Sequence, residues 1–171
     1  MAARPAGDRD ALMYKPASLR AFLTAANPEL AQDPDRLVVF IDAGNLRATY
    51  DPALSFEYAY VLNLVLTDYD GHPDAIMVPL LIWLRTHQSE LLANFDNHGK
   101  VEFEADVLAN DKVDLSIKIP LTERVGVKPR AGGGHDVVHY PEPQLETVLQ
   151  AQHWQLYLAG DLILEWDVPA G

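Results

Sequence analysis

The carboxylates spaced for joint chemistry are Glu102, Glu104, Asp106, Asp111 and Asp114. The first three alternate along one face of an extended segment, and the last two follow a turn. Folded as a hairpin, this stretch could share a proton between two acids or hold a hard divalent cation through carboxylate oxygens. Alternating carboxylates are also what the wet face of any hairpin looks like, and that is the reading adopted. The six histidines, His72, His87, His98, His135, His139 and His153, form no HExxH arrangement, and no acidic residue completes a helical ligand pair. His135 and His139 are four apart, but in a glycine-rich strand or loop. Gly132-Gly133-Gly134 lacks the spacing of a phosphate cradle and reads as a flexible loop tip. No serine sits in a GxSxG elbow, and with no cysteine there is neither a thiolate metal site nor a disulfide. The expectation is a protein that is not an enzyme, with no catalytic residue, no metal and no cofactor.

The elements that carry these residues can be read from periodicity. Residues 54–85 alternate first with period two, placing Phe56, Tyr58, Tyr60, Leu62, Leu64 and Leu66 on one side. The three aromatics could stack bases or sugars, but the leucines continue the same face, so core packing is the better account. Spacing then becomes helical, with Ile76, Met77, Leu80, Leu81 and Leu84 at intervals of three and four. The Gly, Pro and Asp between Asp68 and Pro73 turn the chain between the two. Upstream, a helix opening near Pro16 presents Leu19, Phe22, Leu23 and Ala26 and ends at Asn27-Pro28. A short buried strand is expected at Leu37–Ile41.

Downstream, Val101, Phe103, Ala105 and Val107 pair with Ile119, Ile117, Leu115 and Val113 if the acidic segment is a hairpin. That register sets Asp106 against Asp114, a like-charge pair that is mildly unfavourable. Removing either acid is expected to stabilise the fold slightly, by a few tenths of a kcal/mol. Residues 129–150 read as an extended loop or linker. His153–Trp166 reads as a closing hairpin that pairs Trp154 with Trp166, Leu156 with Leu164 and Leu158 with Leu162. Too apolar to stand in water, it must dock on the main sheet or reach across a subunit boundary. The whole is expected to be an α/β (α+β) fold, a mixed and mostly antiparallel sheet flanked by two helices and followed by a C-terminal β-hairpin.

With 171 residues and 49% hydrophobic content, one globular domain with a real core is expected. Residues 1–13 lack apolar periodicity and read as a flexible, dispensable lead, with Met13 as a second candidate start and 14–171 as the domain. No stretch approaches the roughly 18 apolar residues of a membrane span, and residues 1–13 have no apolar core of a secretory signal. A formal charge of −12 argues against wrapping nucleic acid, where phosphates must be neutralised by Lys and Arg.

Seven blocks, SLRAFLTAANPEL, SFEYAYVLN, TDYDG, VPLLIWLR, FEADVL, LTERV and WQLYLAGDLILEW, resemble in the same order the tail completion protein R family of temperate contractile-tailed bacteriophages of the Peduovirus type. The resemblance runs from about Lys15 to Trp166. It implies a structural virion protein with a tail-terminator-like fold. Such a protein caps the head-proximal end of the growing tail tube as a homo-oligomeric ring, a hexamer, and prepares it to join the head. The implied partners are further copies of the chain, the tail tube protein, and sheath and head-completion or connector proteins. DNA passes through the ring without specific binding, and no membrane is involved. The implied setting is the neck end of the virion tail, assembled in the host cytoplasm. Trp83 and Arg85 at a helix edge, Glu123 and Arg124 in LTERV, and Trp154 and Trp166 in the closing hairpin are the candidate interface residues. The alternatives are a neck or connector component on the head side, a carboxylate hydrolase using the acidic hairpin, and a binding module using the Tyr58–Tyr60 face.

Overall fold

A computed structural model describes residues 13–143 and 152–169. The expected lead at 1–13 therefore falls outside the described residues except for Met13, which packs against the core. The chain opens with α1 (Tyr14–Ala26) and a short α2 (Pro28–Gln32), followed by a 3-10 turn at Pro34–Arg36. The strands β1 (Leu37–Ala48) and β2 (Phe56–Tyr69) form a long hairpin, after which α3 (Asp74–His87) and α4 (Glu90–Ala93) return the chain. Then come β3 (Glu102–Val107), β4 (Val113–Pro129), β5 (His135–Tyr140), β6 (Gln152–Leu158) and β7 (Asp161–Val168). The main sheet runs β1-β2-β4-β3 with β5 also on β4, and every pairing is antiparallel. This is the expected α+β architecture.

The core follows from period-two alternation in the two central strands. Leu62, Leu64 and Leu66 of β2 lie opposite Ile119, Ile117 and Leu115 of β4, and all six are at most 1% exposed. On that face α1 lays down Leu19 and Leu23, and α3 adds Ile76, Leu80, Trp83 and Leu84. Burying each such side chain contributes roughly 1.5–3 kcal/mol. Pro79 lies inside α3 and is itself buried. It removes one helical hydrogen bond, and the helix continues because its burial on two sides outweighs that loss. The other sheet face is more open, with Val38, Phe40 and Val61 exposed.

The second side of the helix layer explains the C-terminal hairpin. Leu164 and Trp166 of β7 pack on Ala26 of α1 and Ala75 of α3, with Val78, Ile82, Trp154, Leu156 and Val168 around them. The hairpin thus docks on the helices of its own subunit, not on the main sheet, and the molecule has three layers. Because α3 is covered on both sides it is apolar nearly all round, as a sandwiched helix must be.

Four expectations need correction. The strand placed at Leu37–Ile41 runs on to Ala48, and only Leu37 in it is buried. Asp42 and Ala43, beyond the expected end of the strand, are absorbed by a β-bulge between Ile41 and Gly44. Within the stretch read as a linker, His135–Tyr140 pairs with Arg124–Pro129 as β5; residues 144–151 lie outside the described residues. In the last hairpin, Trp154 pairs with Trp166 and Leu156 with Leu164 as expected, but Leu162 lies opposite Tyr157 and Leu158 opposite Asp161. Ala159 (φ 49) and Gly160 (φ 91) form a two-residue turn with both centres left-handed, the geometry that matches strand twist. It closes the loop one residue tighter, and the shift between Leu156 and Tyr157 takes up the difference. Finally, the acidic hairpin has the expected register from Phe103–Ile117 to Val107–Val113, but Val101, expected opposite Ile119, precedes the strand, and Phe103 and Val107 on its apolar face are 63% and 78% exposed. The helix layer does not extend over β3.

Candidate assembly surfaces and the polar seam beneath them

A helix leaves its first N–H groups unsatisfied. In α1 two of them are met from across the sequence: Tyr14 N–H donates to Glu123 Oε2 at 3.1 Å and Lys15 N–H to Glu123 Oε1 at 2.8 Å. Glu123 points inward from β4 and is 4% exposed. Tyr60 of β2 donates its hydroxyl to Oε1 at 2.8 Å, and His139 of β5 places Nδ1 3.2 Å from Oε2. One buried carboxylate therefore joins α1, β2, β4 and β5. A negative charge at a helix N-terminus is also favoured by the peptide dipoles. Burial, and then the nearby Glu123 charge, push the Tyr60 phenol well above its ordinary range, so it stays a donor.

The seam continues through the Lys15 side chain, which is buried. Its ammonium donates to Gln88 Oε1 at 2.7 Å and pairs with Glu142 Oε1 at 2.8 Å. Gln88 Oε1 also receives the Thr122 N–H at 3.1 Å, in the gap on the β4 edge between β3 and β5. Close by, Trp83 Nε1 donates to Ser18 Oγ at 3.1 Å, and the His87 ring stacks on Trp83 at 4.3 Å. Burial lowers the His87 pKa, so the neutral ring is the one that fits.

The six candidate interface residues divide accordingly. Trp83 and Glu123 are buried in this seam, and Trp166 is buried under the hairpin. Their contribution is to the subunit's own stability. Arg85 and Arg124 are exposed, and Trp154 is half-buried with its ring stacked on Trp166 at 5.8 Å. Burial separated these two groups, and sequence blocks alone do not reveal it. Among the described residues the Arg124 side chain has no hydrogen-bond or ion-pair partner, and its register neighbours form a row across four strands: Arg47, Glu57, Arg124 and Tyr140. Arg47 Nη1 stands 3.4 Å from Glu57 Oε1. A Cβ on Gly126 would come within 2.4 Å of the Tyr140 hydroxyl, so glycine there lets the tyrosine ring lie close over β4. The sequence reading missed this row because β5 was read as loop.

The acidic hairpin also departs from the expectation in how its charges are held. Asp106 does oppose Asp114, but Asp114 Oδ1 accepts the Asp68 N–H at 2.8 Å, and Asp68 is in a left-handed conformation (φ 51) that benefits from the anchor. The two acids are therefore not equivalent. Asp106→Asn is expected to raise stability by a few tenths of a kcal/mol, whereas Asp114→Ala should lower it by about 0.5–1.5 kcal/mol. Urea melts of both variants read the difference, and equal effects would contradict the anchor.

On the outer face of the last hairpin His153 lies between two acids, with Nδ1 2.8 Å from Asp167 Oδ1 and Nε2 2.9 Å from Glu165 Oε1. Hydrogen bonding to Asp167, then to Glu165, raises its pKa. A raised folded-state pKa means that the pairing stabilises fully below the unfolded value of about 6.5. It is lost as pH rises through the folded value. His87, lowered by burial, acts in the opposite sense and destabilises as pH falls below about 6.5. His153→Gln is expected to abolish the alkaline loss of the near-ultraviolet signal of Trp154 and Trp166 on warming. An unchanged pH profile would show that His153 does not staple the strands.

Among the described residues the buried Lys15, Gln88 and Glu123 thus hold helices and strands to one another. Comparison with known proteins supplies the family. Residues 13–143 match the model of the P2 phage tail completion protein R (GpR) family. Tail completion protein R of Escherichia phage P2 is 37% identical over 158 residues, covering 91% of this chain and 99% of that protein. The chain belongs to the P2 phage tail completion protein R family, whose role is structural. No solved structure matches it.

Proposed function

We propose that this chain completes the contractile tail by closing the head-proximal end of the tube as a ring of identical subunits, six by the family resemblance. The supporting observation is the kinship along nearly the full length of a tail completion protein. The physics is consistent with it: among the described residues, the edge strands β1 and β3 leave the apolar Val38, Phe40, Phe103 and Val107 exposed. The tail tube protein is the proposed floor of the ring, with sheath and head-completion proteins as neighbours. Exposed Arg85, Arg124 and half-buried Trp154 are the contact residues retained from the sequence reading. A net charge of −12 lets DNA pass without adhering. The neck of the virion tail is the proposed location, reached by assembly in the host cytoplasm, and residues 1–12 are not required.

The test is genetic and structural. Removing the protein from its parent phage should leave separate heads and tails whose tube ends are uncapped and of irregular length. Supplying either the full chain or one starting at Met13 should restore joined particles. Normal joining without the protein, or labelled protein found elsewhere on the virion, would refute the reading.

A further inference from the structure

The turn between β1 and β2 stands clear of the rest of the subunit. Tyr50 at its tip is 111% exposed, and Leu54 across the turn is 69% exposed. The turn nevertheless has a fixed shape. Leu54 N–H donates to the Asp51 carbonyl at 3.1 Å, and Ala53 N–H donates to Asp51 Oδ1 at 3.0 Å. Leu54 is held in a left-handed conformation (φ 52), a costly one for leucine. Among the described residues the Tyr50 hydroxyl has no hydrogen-bond partner, and Asp51 forms no ion pair. An aromatic ring, a phenol O–H and a carboxylate are thus presented together.

The counterpart of each lies in one place. A cleft of about 900 Å³ opens beside the two ends of the last hairpin, with apolar walls from Tyr14, Phe22, Ile82, Tyr140 and Trp154. That is room for a large side chain and its flanking backbone. Four side chains of formal charge line it, and three are already matched: Lys15 pairs with Glu142, and Glu123 is taken up by the seam. The Arg85 side chain has no hydrogen-bond or ion-pair partner among the described residues. His87 lines the cleft too. Its Nδ1 meets the Trp83 carbonyl, which can only accept, so Nδ1 carries the hydrogen and Nε2 of the neutral ring is an acceptor without a partner. We propose that the β1–β2 turn of one copy docks in this cleft of a second copy. The Tyr50 ring enters between the apolar walls, its hydroxyl donates to His87 Nε2, and the Asp51 carboxylate meets Arg85. The match is one charge against one and one donor against one acceptor, around an apolar ring, which is the form of a tyrosine anchor at an interface. Turn and cleft are different patches, so the contact is directional and can repeat around a ring. It deepens the ring reading above by naming the surfaces, and it rests on that reading only for closure.

The test removes the anchor in one variant and spoils the cleft in another, and reads association by sedimentation with and without isolated tail tubes. Tyr50→Ala and Arg85→Glu both alter exposed positions, and circular dichroism should show both folded. Each alone is expected to associate at least about tenfold more weakly than the wild type, the first for want of its anchor and the second because Asp51 now meets a like charge. An equal mixture should form a heterodimer and nothing larger, since the turn of the Arg85→Glu chain still fits the cleft of the Tyr50→Ala chain while the reverse contact is spoiled. Variants that associate as well as wild type would overturn the contact while leaving the ring intact. Loss with Arg85→Glu but not with Tyr50→Ala would give the cleft to another occupant and overturn the contact. A wild type that stops at a dimer, with the two variants monomeric, would uphold the contact and overturn the ring. Absence of association in any form, even on tubes, would overturn both.

Discussion

Glu123→Ala is expected to lower the stability of the subunit by about 3–5 kcal/mol, as removing one member of a buried charged network does. For a domain of this length that is a fall in melting temperature on the order of 10 °C. The reason is that one carboxylate has four partners. Without it, the Tyr14 and Lys15 N–H groups lose their cap and the Tyr60 hydroxyl is left buried without an acceptor. His139 loses its carboxylate as well, freeing β5 and with it the strand that places Tyr140 beside Arg124. Glu123→Gln keeps the shape and one acceptor oxygen, and should cost about 1–3 kcal/mol. Thermal and urea melts decide the matter. A loss under about 1 kcal/mol for the alanine variant would mean that water replaces the carboxylate, and that the seam does not hold the helix layer to the sheet.

The second large effect is expected at the hairpin. Trp166→Ala should cost about 3–5 kcal/mol, the usual range for emptying a buried tryptophan site. Trp166 lies between the hairpin and the Ala26 and Ala75 faces of α1 and α3, and it stacks on Trp154. Its indole N–H is buried with no hydrogen-bond partner among the described residues. Trp166→Phe discards that unpaired donor while keeping much of the apolar area, so it should cost far less than the alanine change. If both substitutions are equally damaging, the indole nitrogen has a partner and the packing account is incomplete. Removing the chain beyond Gly134 would strip away β5, Glu142 and the hairpin together. It should unfold the helix layer rather than release a stable monomer.

The patterns that could be read directly were those in which one face is buried along a whole element. Alternation placed β2, β3 and β4 and fixed the β3–β4 register residue by residue, because a slip of one would turn Leu115 and Ile117 outward. The spacing of Leu19, Leu23 and Ala26 placed α1, and that of Ile76, Leu80 and Leu84 placed α3. What could not be read was anything decided by contacts distant in sequence. Glu123 in LTERV looks like a surface ion pair, and only the return of α1 from 109 residues away makes it a helix cap. Trp83 reads as a helix-edge aromatic from spacing alone, yet it is buried, because a helix covered on both sides has no edge to expose. β5 has too few apolar residues to announce itself, and it exists because β4 is long enough to carry a second partner. The exposed rows of charge fall between these cases. The acidic strand is plain in the sequence, whereas the Arg47–Glu57–Arg124–Tyr140 row needs three strand registers before it appears.

The central claim, that this chain completes the tail by capping the tube as a ring, is tested most directly by electron microscopy of purified protein added to isolated tail tubes. The account predicts a closed ring seated on one end of each tube, with tube growth halted there. Single subunits scattered along the tube, or a tube end that keeps growing with the protein bound, would contradict it.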